Sequence, residues 1–128
     1  MRDELKQDYT RRITSANKSQ LVVIMYDMFD QYLADAKESI NISKFADMHT
    51  EIRRARNVLS ELIISLDMKY EVAKDFERIY VYLAQRLVEA NIKKDKEKLE
   101  EALVHLRTMR DTWKEIMQKD GTKAGEGA

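Results

Sequence analysis

Apolar residues recur at steps of three and four along four successive stretches of this chain, the spacing that lines one side of a helix. The first stretch, Leu21, Ile24, Met25, Met28, Tyr32 and Ala36, predicts a helix reaching about Ser39. Asn17 is its expected N-cap, and Gln20 at the third helical position completes a capping box. The second stretch, Phe45, Met48, Ile52, Ala55, Leu59, Leu62 and Leu66, alternates three and four without a break, as the seam of a left-handed bundle does. Ser43 is its expected N-cap. Val72, Phe76, Ile79, Leu83, Leu87 and Ala90 give a third helix ending near Asn91. Leu99, Ala102, Leu103, Leu106, Met109, Trp113 and Ile116 give a fourth, starting after Asp95.

The four predicted helices are similar in length, and connections of a few residues force neighbours to run antiparallel. The expected fold is all-α: an antiparallel up-down four-helix bundle. Leu5, Tyr9 and Ile13, at four-residue spacing, add a short N-terminal helical segment docked on the bundle. Punctuation agrees: there is no proline, and the 3 glycines all fall in the last eight residues. Residues 1–120 are expected to form one helical-bundle domain, and residues 121–128, GTKAGEGA, a flexible tail.

One helix carries more apolar surface than a single core consumes. In the run LVVIMYDMF, residues 21–29, a helical wheel sends Leu21, Ile24, Met25 and Met28 inward. Val22, Val23, Tyr26 and Phe29 then point away. The third helix repeats the surplus in Tyr80 and Val81, beside Ile79 and Leu83. A contiguous exposed apolar patch marks a binding surface, and an amphipathic or disordered segment laid in a groove is the natural occupant. The N-terminal segment is itself placed to cover part of it.

Composition narrows the function classes. The chain has 128 residues and a formal net charge of +0, so no global field draws it to nucleic acid or to an acidic membrane. It has no cysteine, which removes disulfides, thiolate metal sites and cysteine nucleophiles. The polar N-terminus is unlike a signal peptide, and the longest apolar run, Leu21 to Tyr26, is far short of the ~20 residues that span a bilayer. A cytoplasmic protein without membrane insertion is expected. The two histidines, His49 and His105, lack the Glu-x-x-His spacing of a bundle di-metal centre, with Ala46 and Ala102 where glutamates would stand. No phosphate loop or nucleophile elbow occurs, so no enzyme activity, cofactor or metal is expected. Arg53, Arg54 and Arg56 cluster on the second helix, but Glu51 and Glu61 share that helix and no basic stripe extends it. A solvated face is the simpler reading, and no nucleic-acid partner is expected.

Several blocks, in order, resemble the FliS family of flagellar secretion chaperones. Tyr9, Ile13 and Ser15-Ala16 are similar to its N-terminal Tyr…Ile-x-Thr-Ala pattern, and residues 21–27, LVVIMYD, to its Leu-x-x-Met-Leu-Tyr-Asp-Gly block. Glu61-Leu62 with Ser65-Leu66-Asp67 resembles Glu-Leu…Ser-Leu-Asp. Ile79-Tyr80-Val81-Tyr82, then Leu87, Ala90-Asn91 and Asp95, resembles Leu-Tyr-x-Tyr…Leu…Ala-Asn…Asp; Leu106-Arg107 and Trp113 stand where the family ends Leu-Arg-x-x-Trp. Three positions depart from the pattern: Met28 replaces a glycine, residues 67–71 lack a glycine pair, and Val81 stands where an aspartate is common.

The resemblance implies a cytoplasmic export chaperone that wraps the disordered C-terminal region of flagellin, prevents premature polymerisation and keeps the client secretion-competent. It also implies contact with the flagellar export apparatus, in a monomer or weak homodimer. In the family the N-terminal tyrosine segment can occupy part of the client surface, which here means Tyr9 and Ile13. The expected client-binding set is therefore Tyr9, Ile13, Val22, Tyr26, Phe29, Tyr80 and Val81. Two alternatives stay open: a FliS-like adaptor for a different flagellar or secreted client, and a self-associating helical structural protein.

Overall fold

A computed structural model describes residues 3–15 and 17–119, with side chains over 3–13 and 17–116. The proposed tail, residues 121–128, lies outside the described residues. Five helices make up the fold: α1 (Asp3–Ser15), α2 (Lys18–Asn41), α3 (Phe45–Ser65), α4 (Glu71–Lys93) and α5 (Lys96–Lys119). No strand occurs among the described residues.

Helix α2 packs against α3 and α5, and α4 packs against the same two. Cross-helix pairs give the directions. Asp27, early in α2, meets Arg110, late in α5, whereas Lys37, late in α2, pairs with Glu100, early in α5. Arg86, late in α4, reaches Glu101, early in α5, at 3.1 Å. His49 and Asn91 join the start of α3 to the end of α4 at 2.7 Å. Helix α1 lies on α2 alone.

The capping chemistry explains how connections so short can turn. Asn17 accepts from the Gln20 backbone while the Gln20 side chain accepts from the Asn17 backbone, which is the expected capping box. Ser43 does not cap α3. It takes a left-handed conformation, φ 58°, its N–H bonding the Ile40 carbonyl while Lys44 N–H reaches Ser39. That is the Schellman ending of α2, in which the left-handed position cannot also be the extended N-cap of the next helix. Lys94 is the other non-glycine residue with positive φ, 52°, and Asp95 then caps α5 by accepting from Glu97 and Lys98. The α3–α4 connection needs no left-handed residue, which accounts for its lack of glycine: Leu66 and Tyr70 are both extended.

The core runs the length of the four long helices. Helix α3 supplies Met48, Ile52, Ala55, Val58, Leu59 and Leu62, and α5 supplies Leu99, Ala102, Leu103, Leu106 and Met109. Both follow the sequence expectation closely; Phe45, at the first turn of α3, is an exception and stays exposed. Helix α2 is turned from the expected face, whereas α4 keeps Phe76, Leu83, Leu87 and Ala90 inside as expected and buries Tyr80 in place of Ile79. The buried residues of α2 in this core are Val22, Tyr26, Phe29, Leu33 and Ala36, at steps of four and three. Those of α4 are Phe76, Tyr80, Leu83, Leu87 and Ala90, with Ala73 buried one turn earlier. Met25, Met28 and Tyr32 flank the α2 seam half-buried, and Ile79 flanks that of α4. Val72, expected inside, is exposed.

Candidate client-binding surface

The rotation of α2, and the burial of Tyr80 beside the expected face of α4, decide what happens to the expected binding residues. Val22, Tyr26, Phe29 and Tyr80 do not point away from the bundle; they are part of its core, and Phe29 is 0% exposed. The physical reason is register. Starting from Val22, a strict four-three repeat collects two aromatics and Leu33, whereas the repeat from Leu21 leaves Phe29 and Leu33 in water. Burying those two side chains stabilises the first choice by about 1.5–3 kcal/mol each.

Burying two tyrosines also requires their hydroxyls to be satisfied. The sequence achieves this with one contact: the Tyr26 and Tyr80 hydroxyls meet at 2.5 Å across the bundle centre, their rings 6.5 Å apart. Phe76 lies against Tyr80 at 6.3 Å. Burial pushes both phenols upward, Tyr80 to about 12, and Tyr26 is raised further by the neighbouring Tyr80. Both are neutral at any physiological pH.

Tyr9 takes a different position. It is buried, as is Ile24, yet neither belongs to the main core. Tyr9 lies where α1 meets α2, and Arg12 stacks over its ring, 5.2 Å from the centroid. Arg12 also bonds Asp27 of α2 at 3.0 Å, and the same carboxylate accepts from Arg110 of α5 at 3.4 Å. One turn on, Asp30 holds Arg107 through two bonds of 2.9 and 3.1 Å. Two α2 carboxylates thus tie α2 to α5, and one of them, Asp27, to α1 as well. Burial and the Asp27 charge raise the Tyr9 phenol above its ordinary value.

Of the seven expected residues, only Ile13, at 40%, and Val81, at 44%, are exposed, and they sit on different helices that do not touch. The apolar surface that is open lies elsewhere. Ile64, Met68, Tyr70 and Val72 surround the α3–α4 connection, and Ile42, Phe45 and Ile92 cluster at the other end. Tyr82 and Val104 lie on α4 and α5, with His105 edge-on to the Tyr82 ring and Arg86 over it. Met68 and Tyr70 carry no periodic signal because they belong to a connection; only their size and apolar character mark them.

Among the described residues no group of three or more His, Asp or Glu side chains is placed to hold a metal ion. Nor is any described helix long and apolar enough to cross a membrane.

A family model described as "Flagellar protein FliS" matches residues 1–120. The chain belongs to the FliS family. Among curated FliS proteins it is similar to the flagellar secretion chaperone FliS of Bacillus subtilis (strain 168), 26% identical over 108 residues, covering 84% of this chain and 81% of the relative. The FliS of Escherichia coli (strain K12) is 28% identical over 108 residues, covering 82% and 79%. That of Salmonella typhimurium is 26% identical over 110 residues, covering 84% and 82%. All three of these relatives are flagellar secretion chaperones.

Proposed function

We propose that this FliS protein is a cytoplasmic export chaperone that binds the disordered C-terminal region of flagellin, prevents its premature polymerisation and keeps it competent for secretion. Its architecture, on this reading, is an antiparallel up-down bundle of α2–α5, the order that the cross-helix pairs support, with α1 as a docked accessory helix. Contact with the flagellar export apparatus belongs to the same reading.

The observation that carries it is the seat of α1 on α2. A short amphipathic helix rests there through one buried aromatic, Tyr9, and one half-exposed ion pair, Arg12–Asp27. That is the footprint a client helix would use. It is also a weak attachment: burying one such ring contributes about 1.5–3 kcal/mol and a surface ion pair at most about 1, before the cost of ordering the segment. A client burying a longer stripe displaces it. Client affinity is then lowered in proportion to the fraction of time α1 leaves the seat open.

The revised client-binding set is the α2 surface beneath Tyr9 and Ile13, which α1 covers until a client displaces it. Val22, Tyr26, Phe29 and Tyr80 hold the seat in shape from below. A polymerisation assay tests the function. One equivalent of the protein should suppress seeded growth of flagellin filaments, and removal of the flagellin C-terminal segment should abolish the complex. Filament growth at an unchanged rate with excess protein would refute the proposal.

A further inference from the structure

The three α3 arginines differ from all other described arginines. Arg11, Arg12, Arg78, Arg86, Arg107 and Arg110 each pair with a carboxylate. Arg53, Arg54 and Arg56 pair with none among the described residues. The glutamates that share their helix do not serve them. Glu51 turns toward α2, where the Ser39 hydroxyl donates to it at 3.0 Å, and Glu61 falls on the side of α3 away from α4.

The antiparallel pairing of α3 with α4 places two of these arginines beside apolar surface. Counting along both helices from the His49–Asn91 contact puts Arg53 level with Leu87, beside Val88, and Arg56 level with Ala84. Val81, Val88 and Ile92 form one stripe on α4, at i, i+7 and i+11, and Ile92 is 75% exposed. At its upper end the Lys94 ammonium stands over the exposed Phe45 ring, 4.7 Å from the centroid. An apolar stripe is thus bordered by two unpaired guanidiniums and a lysine. The one carboxylate on this side, Glu77, lies a level with Ile63, towards the opposite end.

We propose that the α3–α4 face is a second docking surface, and that its occupant is an amphipathic helix of a partner protein whose apolar residues lie on Val81, Val88 and Ile92 and whose carboxylates meet Arg53 and Arg56. Charge complementarity selects the occupant. Arginine presents a planar fork that binds a carboxylate through two bonds, and guanidiniums beside an apolar stripe reward an acidic helix while rejecting a basic one. The proposal does not rest on the flagellin reading, because α1 packs on α2 and does not reach α4.

Backbone NMR of the full ¹⁵N-labelled chain provides the test. Two synthetic helical peptides of three heptads are titrated, each with leucine on one face, one flanked by glutamate and the other by lysine. The glutamate peptide should shift amides of α3 and of the 81–94 stretch of α4, and should bind roughly tenfold more tightly than the lysine peptide at low salt. In the double variant Arg53→Glu/Arg56→Glu that preference should reverse, with unchanged helix signal by circular dichroism. A second variant, Val88→Gln, which removes apolar contact without adding charge, should weaken both peptides alike. Equal affinity for the two peptides, absence of binding by either, or shifts confined to α1 and α2 would overturn the proposal. So would a single-stranded oligonucleotide that moves the same amides at lower concentration, or dimerisation of the free chain through this face in light scattering.

Discussion

The Tyr26–Tyr80 contact offers the sharpest test of the core. Changing Tyr26→Phe leaves ring packing intact and removes one hydroxyl, stranding that of Tyr80 in a site where it is 1% exposed. An orphaned buried hydroxyl costs about 1–3 kcal/mol, and Tyr80→Phe should cost a similar amount from the other side. The double variant leaves no orphan, so it should lie within about 1 kcal/mol of the native protein. The coupling between the two sites is then about 1–3 kcal/mol. Urea unfolding followed by circular dichroism measures all four proteins; an orphan should also lower Tm by several degrees for a chain of this size. Alkaline pH adds an independent reading. In the unfolded chain a tyrosine ionises near pH 10, whereas in the fold burial holds Tyr80 up to about 12 and Tyr26 higher still. Folding therefore favours the protonated forms: their contribution is intact below pH 10 and is lost as pH rises from 10 through 12. The double phenylalanine variant should lose much of that alkaline sensitivity. Additive single changes of a few tenths of a kcal/mol would place both hydroxyls in water and refute the assignment of these residues to the core.

Ser43→Gly and Lys94→Gly should each raise stability by about 1 kcal/mol in urea titrations, because both residues occupy left-handed backbone that glycine adopts without steric cost. Tyr9→Ala should speed amide exchange across Asp3–Ser15 while leaving α2–α5 protection unchanged, and should tighten binding of a flagellin C-terminal peptide severalfold by vacating the seat. Val22→Asp, which buries a carboxylate in the core, should unfold or severely destabilise the bundle, whereas Val81→Asp should leave the helix signal intact.

Most of the fold was legible because α3 and α5 have one apolar face each, so only one rotation buries Ile52, Leu59, Leu103 and Leu106. The capping box at Asn17 and the start of α5 after Asp95 were readable for the same reason: each rests on side-chain chemistry local to the sequence. Helices α2 and α4 were ambiguous because apolar residues occupy adjacent positions, so two faces compete. Leu33 resolves the phase on α2, and the need to satisfy two hydroxyls together accounts for Tyr26 and Tyr80 both lying inside. That pairing joins residues 54 apart and leaves no periodic trace. The surplus around LVVIMYDMF was thus largely core seen from the wrong angle. What remained for a partner is the surface under α1 and the exposed residues near the helix ends. Met28, where the family pattern has glycine, packs half-buried against the core. Ser43 is ambiguous in sequence because serine favours both an N-cap and, less often, a left-handed turn. Only the three-dimensional ending of α2 selects between them.

Calorimetric titration of the full chain with a peptide spanning the C-terminal helical region of its organism's flagellin tests the central claim most directly. The account predicts a 1:1 complex with micromolar or tighter affinity and a negative heat-capacity change from apolar burial. It also predicts that Tyr9→Ala tightens binding. No heat and no complex at micromolar concentrations, with the protein folded, would contradict it.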